Sequence, residues 1–200
     1  MTMTVLVAAA GIGATAAFGG LAKAPPSGPP QARMGEEVDQ DLFHTKIVDA
    51  VVHTVPSGTG SGSERTVLDL DLRVFNQAQV SVRADYLAQS FLTVVSRDGE
   101  LVLDTTNPRA QPNFMYDAIV PGAGVPSRLL PPKRTSTVLM RFRRLGADDA
   151  DKYPSLLDIT LGKYENHEDA LTGRRFVQLV TDDGKPEVVA RLAVPVRKDV

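Results

Sequence analysis

Residues 67–75 read VLDLDLRVF. Side chains of an extended chain alternate between two faces, so Leu68, Leu70, Leu72 and Val74 share one face while Asp69, Asp71 and Arg73 share the other. A strand apolar on one side and charged on the other belongs to an antiparallel sheet, with one face on a core and one in water. Asn76 closes the strand.

The same alternation recurs outward in both directions. LFHTKIVDAVV (42–52) reads as the preceding strand, separated from 67–75 by a Gly/Ser loop at 57–63. Phe91–Ser96 and Leu101–Asp104 flank Asp98-Gly99, a hairpin signal. Pro121-Gly122 and Pro131-Pro132 bracket a loop, after which Val138, Met140 and Phe142 alternate with Leu139, Arg141 and Arg143. Leu157, Ile159 and Leu161 mark another strand, and 176–181 and 188–196 flank a second turn at Asp183-Gly184. Helix is expected for only a turn or two, near 84–90 and near 148–155. About eight short strands with turn signals between them predict an all-β antiparallel sandwich over residues 38–200. A barrel is the alternative closure.

The hydrophobic content of 42% and charged content of 23% describe a globular body and not a disordered one. A net charge of −2 leaves no electrostatic footprint for nucleic acid. The absence of cysteine excludes thiol catalysis and Cys-ligated zinc. The absence of tryptophan disfavours an antibody-type core built on a buried Trp against a disulfide.

Upstream of the strands the character changes. VLVAAAGIGATAAFGGLA (5–22) is uncharged and apolar, and as a helix it reaches roughly 27 Å, slightly short of the ~30 Å hydrocarbon core. Residues 1–24 are therefore expected to form a single transmembrane anchor and 25–37 a Pro-rich spacer, with the sandwich outside the cytoplasm. The short span and the missing basic flank point to a true start further upstream. A cleaved signal is the alternative: Ala22-Lys23-Ala24 fits a cleavage pattern, but Pro25 would then occupy the first mature position. Gly11, Gly13 and Ala16 match a dinucleotide-binding fingerprint, yet the chain runs on into Pro25, Pro26, Pro29 and Pro30 where that motif needs a helix and a second strand. Gly11, Thr15 and Gly19 have helix-pairing spacing in a run where most residues are small.

The order of anchor, Pro-rich tether, VDAV (48–51), DLDLRVFN (69–76), LLPP followed by V-x-M-x-F (129–142) and terminal VVARLAVPV (188–196) resembles a known group. These are the immunoglobulin-like extracytoplasmic domains of actinobacterial single-pass membrane proteins and lipoproteins of unknown function. Secreted immunoprotein-like antigens are similar in outline. The resemblance implies a fold and an address in the cell envelope, and no particular chemistry. A lipoprotein cysteine is missing from this chain.

Residues with chemical potential each have a plain structural reading. His44 and His53 are nine apart, an odd separation that places them on opposite faces of a regular strand and argues against a shared metal site. His167 falls in ENHED (165–169), expected to be a solvated polar loop. Asp69 and Asp71 form a D-x-D, which period two alone produces on the wet face of a strand. Asp148, Asp149 and Asp151 lack the spacing of a calcium loop, and Ser57 and Ser61 sit in Gly-rich sequence without a nucleophile elbow. Lys133, Arg134, Arg141, Arg143 and Arg144 are the densest basic group, suited to anionic lipid or cell-wall polymer but more simply a solvated face. No catalytic, cofactor or metal residue is assigned. The expected class is a non-enzymatic, membrane-anchored module whose partner is another envelope or membrane protein. A secreted carrier and an envelope hydrolase are the alternatives.

Overall fold

The computed structural model describes residues 28–56, 64–122, 125–146, 149–168, 173 and 175–199. In chain order the strands are β1 (Gln31–Ala32), β2 (Glu37–Asp39), β3 (Phe43–Pro56), β4 (Glu64–Asn76), β5 (Val82–Arg83), β6 (Phe91–Ser96), β7 (Leu101–Asp104), β8 (Phe114–Ile119), β9 (Leu129–Leu130) and β10 (Thr135–Arg144). They continue with β11 (Leu156–Gly162), β12 (Tyr164–Glu168), β13 (Arg175–Leu179), β14 (Thr181–Asp182), β15 (Lys185–Pro186), β16 (Val188–Pro195) and β17 (Arg197–Asp199). Among the described residues, helix is confined to α1 (Ala84–Ser90) and a 3-10 turn at Ala150–Lys152, the two places where the sequence indicates it. The expected membrane helix lies outside the described residues. Among the described residues, no helix is long and apolar enough to cross a membrane.

Two sheets stack as a sandwich. One is ordered β1-β16-β11-β6-β7; the other is β17-β3-β4-β10-β8, with β2 also on β3. The 67–75 alternation decides which side faces in: Leu68, Leu70, Leu72 and Val74 are all fully buried. Ile47, Ala50, Met140 and Phe142 join them from neighbouring strands, and Phe91, Val94, Ile159, Leu161, Leu192 and Val194 meet them from the opposite sheet in one continuous core. Burying a large apolar side chain contributes about 1.5–3 kcal/mol, so this face is the principal stabilising surface.

Both ends of the chain cross between the sheets. β1 lies parallel on β16, the chain turns at Gly35 (φ 85°), and β2 then runs antiparallel to β3. At the other end, buried Val196 donates its N–H to the Ser155 carbonyl at 2.9 Å, and β17 continues parallel to β3. β2 and β17 thus cover two parts of the β3 edge, which would otherwise offer bare peptide groups to another chain. Gln31–Ala32 and Glu37 belong to the sheets, so the body begins earlier than the expected spacer boundary at residue 37.

Two buried amides hold the corners at one end. Gln40 donates from Nε2 to the Gly162 carbonyl (2.9 Å) and accepts at Oε1 from Thr45 Oγ1 (2.6 Å), tying the β2–β3 corner to the end of β11 in the other sheet. Asn76 donates from Nδ2 towards the carbonyls of Val80, Leu130 and Pro131 and accepts at Oδ1 from the Ala78 N–H. Gly162 packs tightly on the opposite strand: a Cβ there would come within 2.7 Å of Leu92 Cδ2, so the Leu92 side chain would have to shift.

Two local expectations are corrected. The Asp183-Gly184 turn joins only β14 to β15; the longer strands on either side diverge, β13 pairing with β12 and β16 with β11. Backbone pairing with 164–168 and 156–162 outweighs the local hairpin. Residues 164–168 are strand β12 and not a loop.

Asn76→Ala would take the amide donor from the buried Leu130 carbonyl and the partly buried carbonyls of Val80 and Pro131, and the acceptor from the Ala78 N–H, at roughly 1–3 kcal/mol for an unsatisfied group. The expected outcome is a fall of about 2–3 kcal/mol in unfolding free energy by urea titration, with the m-value unchanged.

Candidate functional site

The end of the sandwich marked by Gln40 and Asn76 carries a polar groove. The last residue of β2 is Asp39 and the segment after it supplies Asp41, the turn after β4 supplies Gln77, and the connections flanking β12 and β16 supply Lys163 and Glu187; together with Val189 they line an open groove of about 380 Å³. A second hollow of about 280 Å³ shares Asp41 and Gln77 and extends to Glu165 and Asn166. Asp41 adopts a left-handed backbone (φ 72°), a conformation that Asp tolerates better than most residues. Its N–H donates to Asp39 Oδ1 at 2.8 Å, and its carbonyl accepts from Gln77 Nε2 at 2.5 Å. Lys163 Nζ stands 3.9 Å from both Asp41 Oδ2 and Glu187 Oε1, close enough for attraction and too far for a hydrogen bond. The adjoining Tyr164 hydroxyl donates to Gln89 Oε1 at 3.0 Å, and burial pushes its pKa up to about 12, so it stays protonated. Carboxylates, one ammonium and amides arranged this way suit the polar or charged groups of a ligand.

The second arrangement lies on the outer face of β3, β4 and β10. Asp69 sits opposite Val51 on one side and Arg141 on the other. Arg141 donates from Nε to Oδ1 (2.8 Å) and from Nη2 to Oδ2 (2.7 Å), a bidentate pair, and His53 Nε2 lies 2.7 Å from Oδ2. These neighbours roof the carboxylate over, leaving 3% of the Asp69 side chain exposed. The expected wet face is therefore covered here, and Asp69 is a buried ion and not a solvated one. The Asp69 hydrogen bond holds the Arg141 pKa above its ordinary value. Asp71 shares the face with Asp69 and lies opposite Asp49; burial, then the charges of Asp69 and Asp49, raises its pKa. Asp49 goes the other way: its hydrogen bond to Arg197 lowers its pKa, against the opposing effect of burial.

His44 and His53 both face outward, contrary to the parity expectation. A β-bulge between Ile47 and Asp49 adds a residue at Val48 and reverses the alternation midway along β3. The two rings remain apart: His44 Nδ1 lies 3.1 Å from Glu37 Oε1, while His53 meets Asp69. His167 packs on Phe176 across the β12–β13 ribbon, with ring centroids 5.1 Å apart. Asp149 accepts at its carboxylate from the Asp151 N–H (3.1 Å), starting the 3-10 turn. Asp148, Ser57, Ser61 and the Gly11–Gly13 motif lie outside the described residues. The basic group is divided: Arg141 pairs with Asp69 and Arg144 with Glu100 at 2.6 Å, while Lys133, Arg134 and Arg143 are exposed. Among the described residues, no three His, Asp or Glu side chains are grouped to hold a metal ion.

No family model and no curated protein sequence matches the chain. Two solved structures are similar to it. One is an uncharacterised β-sandwich protein from Clostridium difficile 630, with 11% identity and a TM-score of 0.45, covering 86% of this chain and 99% of that one. The other is MPT63, a secreted protein from Mycobacterium tuberculosis, with 15% identity and a TM-score of 0.37, covering 84% of this chain and 98% of that one.

Asp69→Ala would leave Arg141 and His53 facing each other without their anion. Breaking a buried pair costs about 3–5 kcal/mol, reduced here because both partners of Asp69 are partly exposed; a loss of roughly 2–3 kcal/mol by urea titration is expected. Asp71→Asn should act in the opposite sense. A carboxyl with a raised folded-state pKa binds its proton more tightly when folded, so its contribution falls as pH rises from the ordinary Asp range through the raised value. Thermal melts at two pH values check this: the Asp71→Asn variant should melt about 1–3 °C above the parent at pH 7, with the difference vanishing near pH 3.

Proposed function

We propose that the chain is a non-catalytic binding or scaffolding module, held on the outer side of a membrane by residues 5–22 and of the immunoglobulin-like extracytoplasmic kind. One observation carries this reading: an uncharged apolar run is followed at once by a Pro-rich tether, and the first strand begins directly after it at Gln31. The groove around Asp41 and Lys163 supports a binding role, since it gathers hydrogen-bonding groups at one end of the sandwich. A non-catalytic role is supported by the engagement of Asp69 with His53 and Arg141, which occupies both carboxylate oxygens. The partner proposed is another envelope or membrane protein.

A released form is the second reading, favoured by Ala22-Lys23-Ala24. Carbonate extraction of native membranes, followed by N-terminal sequencing, separates the two. The anchored reading expects the protein in the membrane pellet with residues 5–22 intact. A soluble product starting at Pro25 would establish the released form. Co-purification from the same membranes then identifies the partner.

A further inference from the structure

We infer that the outer face of the β3–β4–β10 sheet is an isologous interface, on which a second copy of this chain docks by laying its Lys46–Arg73 pair over Asp49 and Asp71. The inference goes beyond the binding role proposed above and applies to the anchored and the released form alike.

The register sets two like-charged pairs side by side on this face. Lys46 stands directly opposite Arg73, and one step further, across the Val48 bulge, Asp49 stands directly opposite Asp71. Like charges directly opposite each other are destabilising, and the two pairs do not cancel within one copy. Arg197 reaches Asp49 Oδ2 at 2.6 Å, but the side chains of Lys46, Arg73 and Asp71 make no hydrogen bond or ion pair among the described residues. Asp71 and Arg73 are two apart on β4, about 6.8 Å between Cα atoms, and strand side chains stand roughly perpendicular to the sheet. The two charged rows therefore project side by side towards whatever approaches the face. Arg73 is exposed, and Lys46, Asp49 and Asp71 are partly so.

A second copy supplies the missing partners. A two-fold axis in the plane of the interface, running across the strands at the level of Leu72, reverses the strand direction and turns the face over. It lays Arg73 over the partner's Asp71 and Lys46 over the partner's Asp49, and repeats both contacts in reverse, as an isologous interface requires. Thr137 and Leu139, which continue the two rows on β10, exchange places in the same way. Stacked sheets lie about 10 Å apart, a gap that a Lys or Arg facing a carboxylate spans. The net charge of −2 opposes the approach of two copies only weakly. A partner of another kind would need a matching pair of rows of its own, whereas a second copy carries them already.

Charge exchange tests this in the full chain, with two different affinity tags placed after Val200. Capture of one tag should recover the other, and recovery should fall in about 0.5 M salt, where screening shortens to roughly 4 Å. Arg73→Asp places a carboxylate opposite Lys46, and Asp71→Arg places a guanidinium opposite Asp49, so both variants should unfold in urea at or above the parental midpoint. Each variant alone should capture itself at least about tenfold less than the parent does, because the docked rows then repel. A mixture of the two variants should restore capture to the parental level. Three results would overturn the inference: no capture between parental copies, undiminished self-capture by either variant, or a mixture that fails to recover. Undiminished self-capture would place the contact elsewhere on the chain.

Discussion

A chain that passes from one sheet to the other must take its peptide groups out of one ladder before it enters the next, and buried peptide groups without partners are costly. This sandwich meets that constraint repeatedly at one end. The Gln40 carbonyl accepts from the N–H groups of Leu42 and Tyr164, Leu42 donates to the Tyr164 carbonyl, and Gln77 donates to the Leu42 carbonyl. Side-chain amides complete the set, Gln40 reaching Gly162 and Asn76 reaching the carbonyls of Val80, Leu130 and Pro131. The two sheets are consequently held in one register at this end. The groove exists because the same turns that satisfy the backbone leave Asp39, Asp41 and Gln77 pointing outward between them.

Such crossings explain which parts of the architecture were legible in the residues. The leucines of 67–75, the Asp98-Gly99 hairpin and the inward positions of 138–142 follow from local alternation and turn chemistry, and the structure places them accordingly. The bulge at Val48 has no comparable local signal; it arises where β3 must pair with β4 on one edge and with both β2 and β17 on the other. Its effect is large, since one inserted residue carries His53 to the same face as His44. Gln40 was invisible for a related reason. A glutamine next to Asp41 reads as surface, and only the return of residue 162 from the opposite sheet buries it.

The outer face of the β3–β4–β10 sheet shows how register turns ordinary surface charge into a buried cluster. Alternation alone puts Asp69 on the solvent side. Pairing β10 so that Arg141 stands opposite Asp69 closes a bidentate contact, and the bulge brings His53 over the second oxygen. The same register sets Asp49 opposite Asp71, a repulsion that Arg197 relieves at Asp49 and that only the weaker effect of His53 opposes at Asp71. The cluster thus joins the C-terminal strand β17 electrostatically to the centre of the sheet. Its partners are spent on one another, whereas in the groove Lys163 stands 3.9 Å from its nearest carboxylates.

The N-terminal attachment repeats the principle on a smaller scale. β1 contributes only two residues to its sheet, too few to hold this segment by pairing alone. Three further bonds secure it: Arg191 N–H to the Pro30 carbonyl, Gly35 N–H to the Ile47 carbonyl, and Arg33 N–H to the Glu36 carboxylate at 3.0 Å. The first lies on one sheet and the second on the other, so the segment is held by both. The crossing that closes the β3 edge is therefore also what fixes the short strand β1 to the rest of the sandwich.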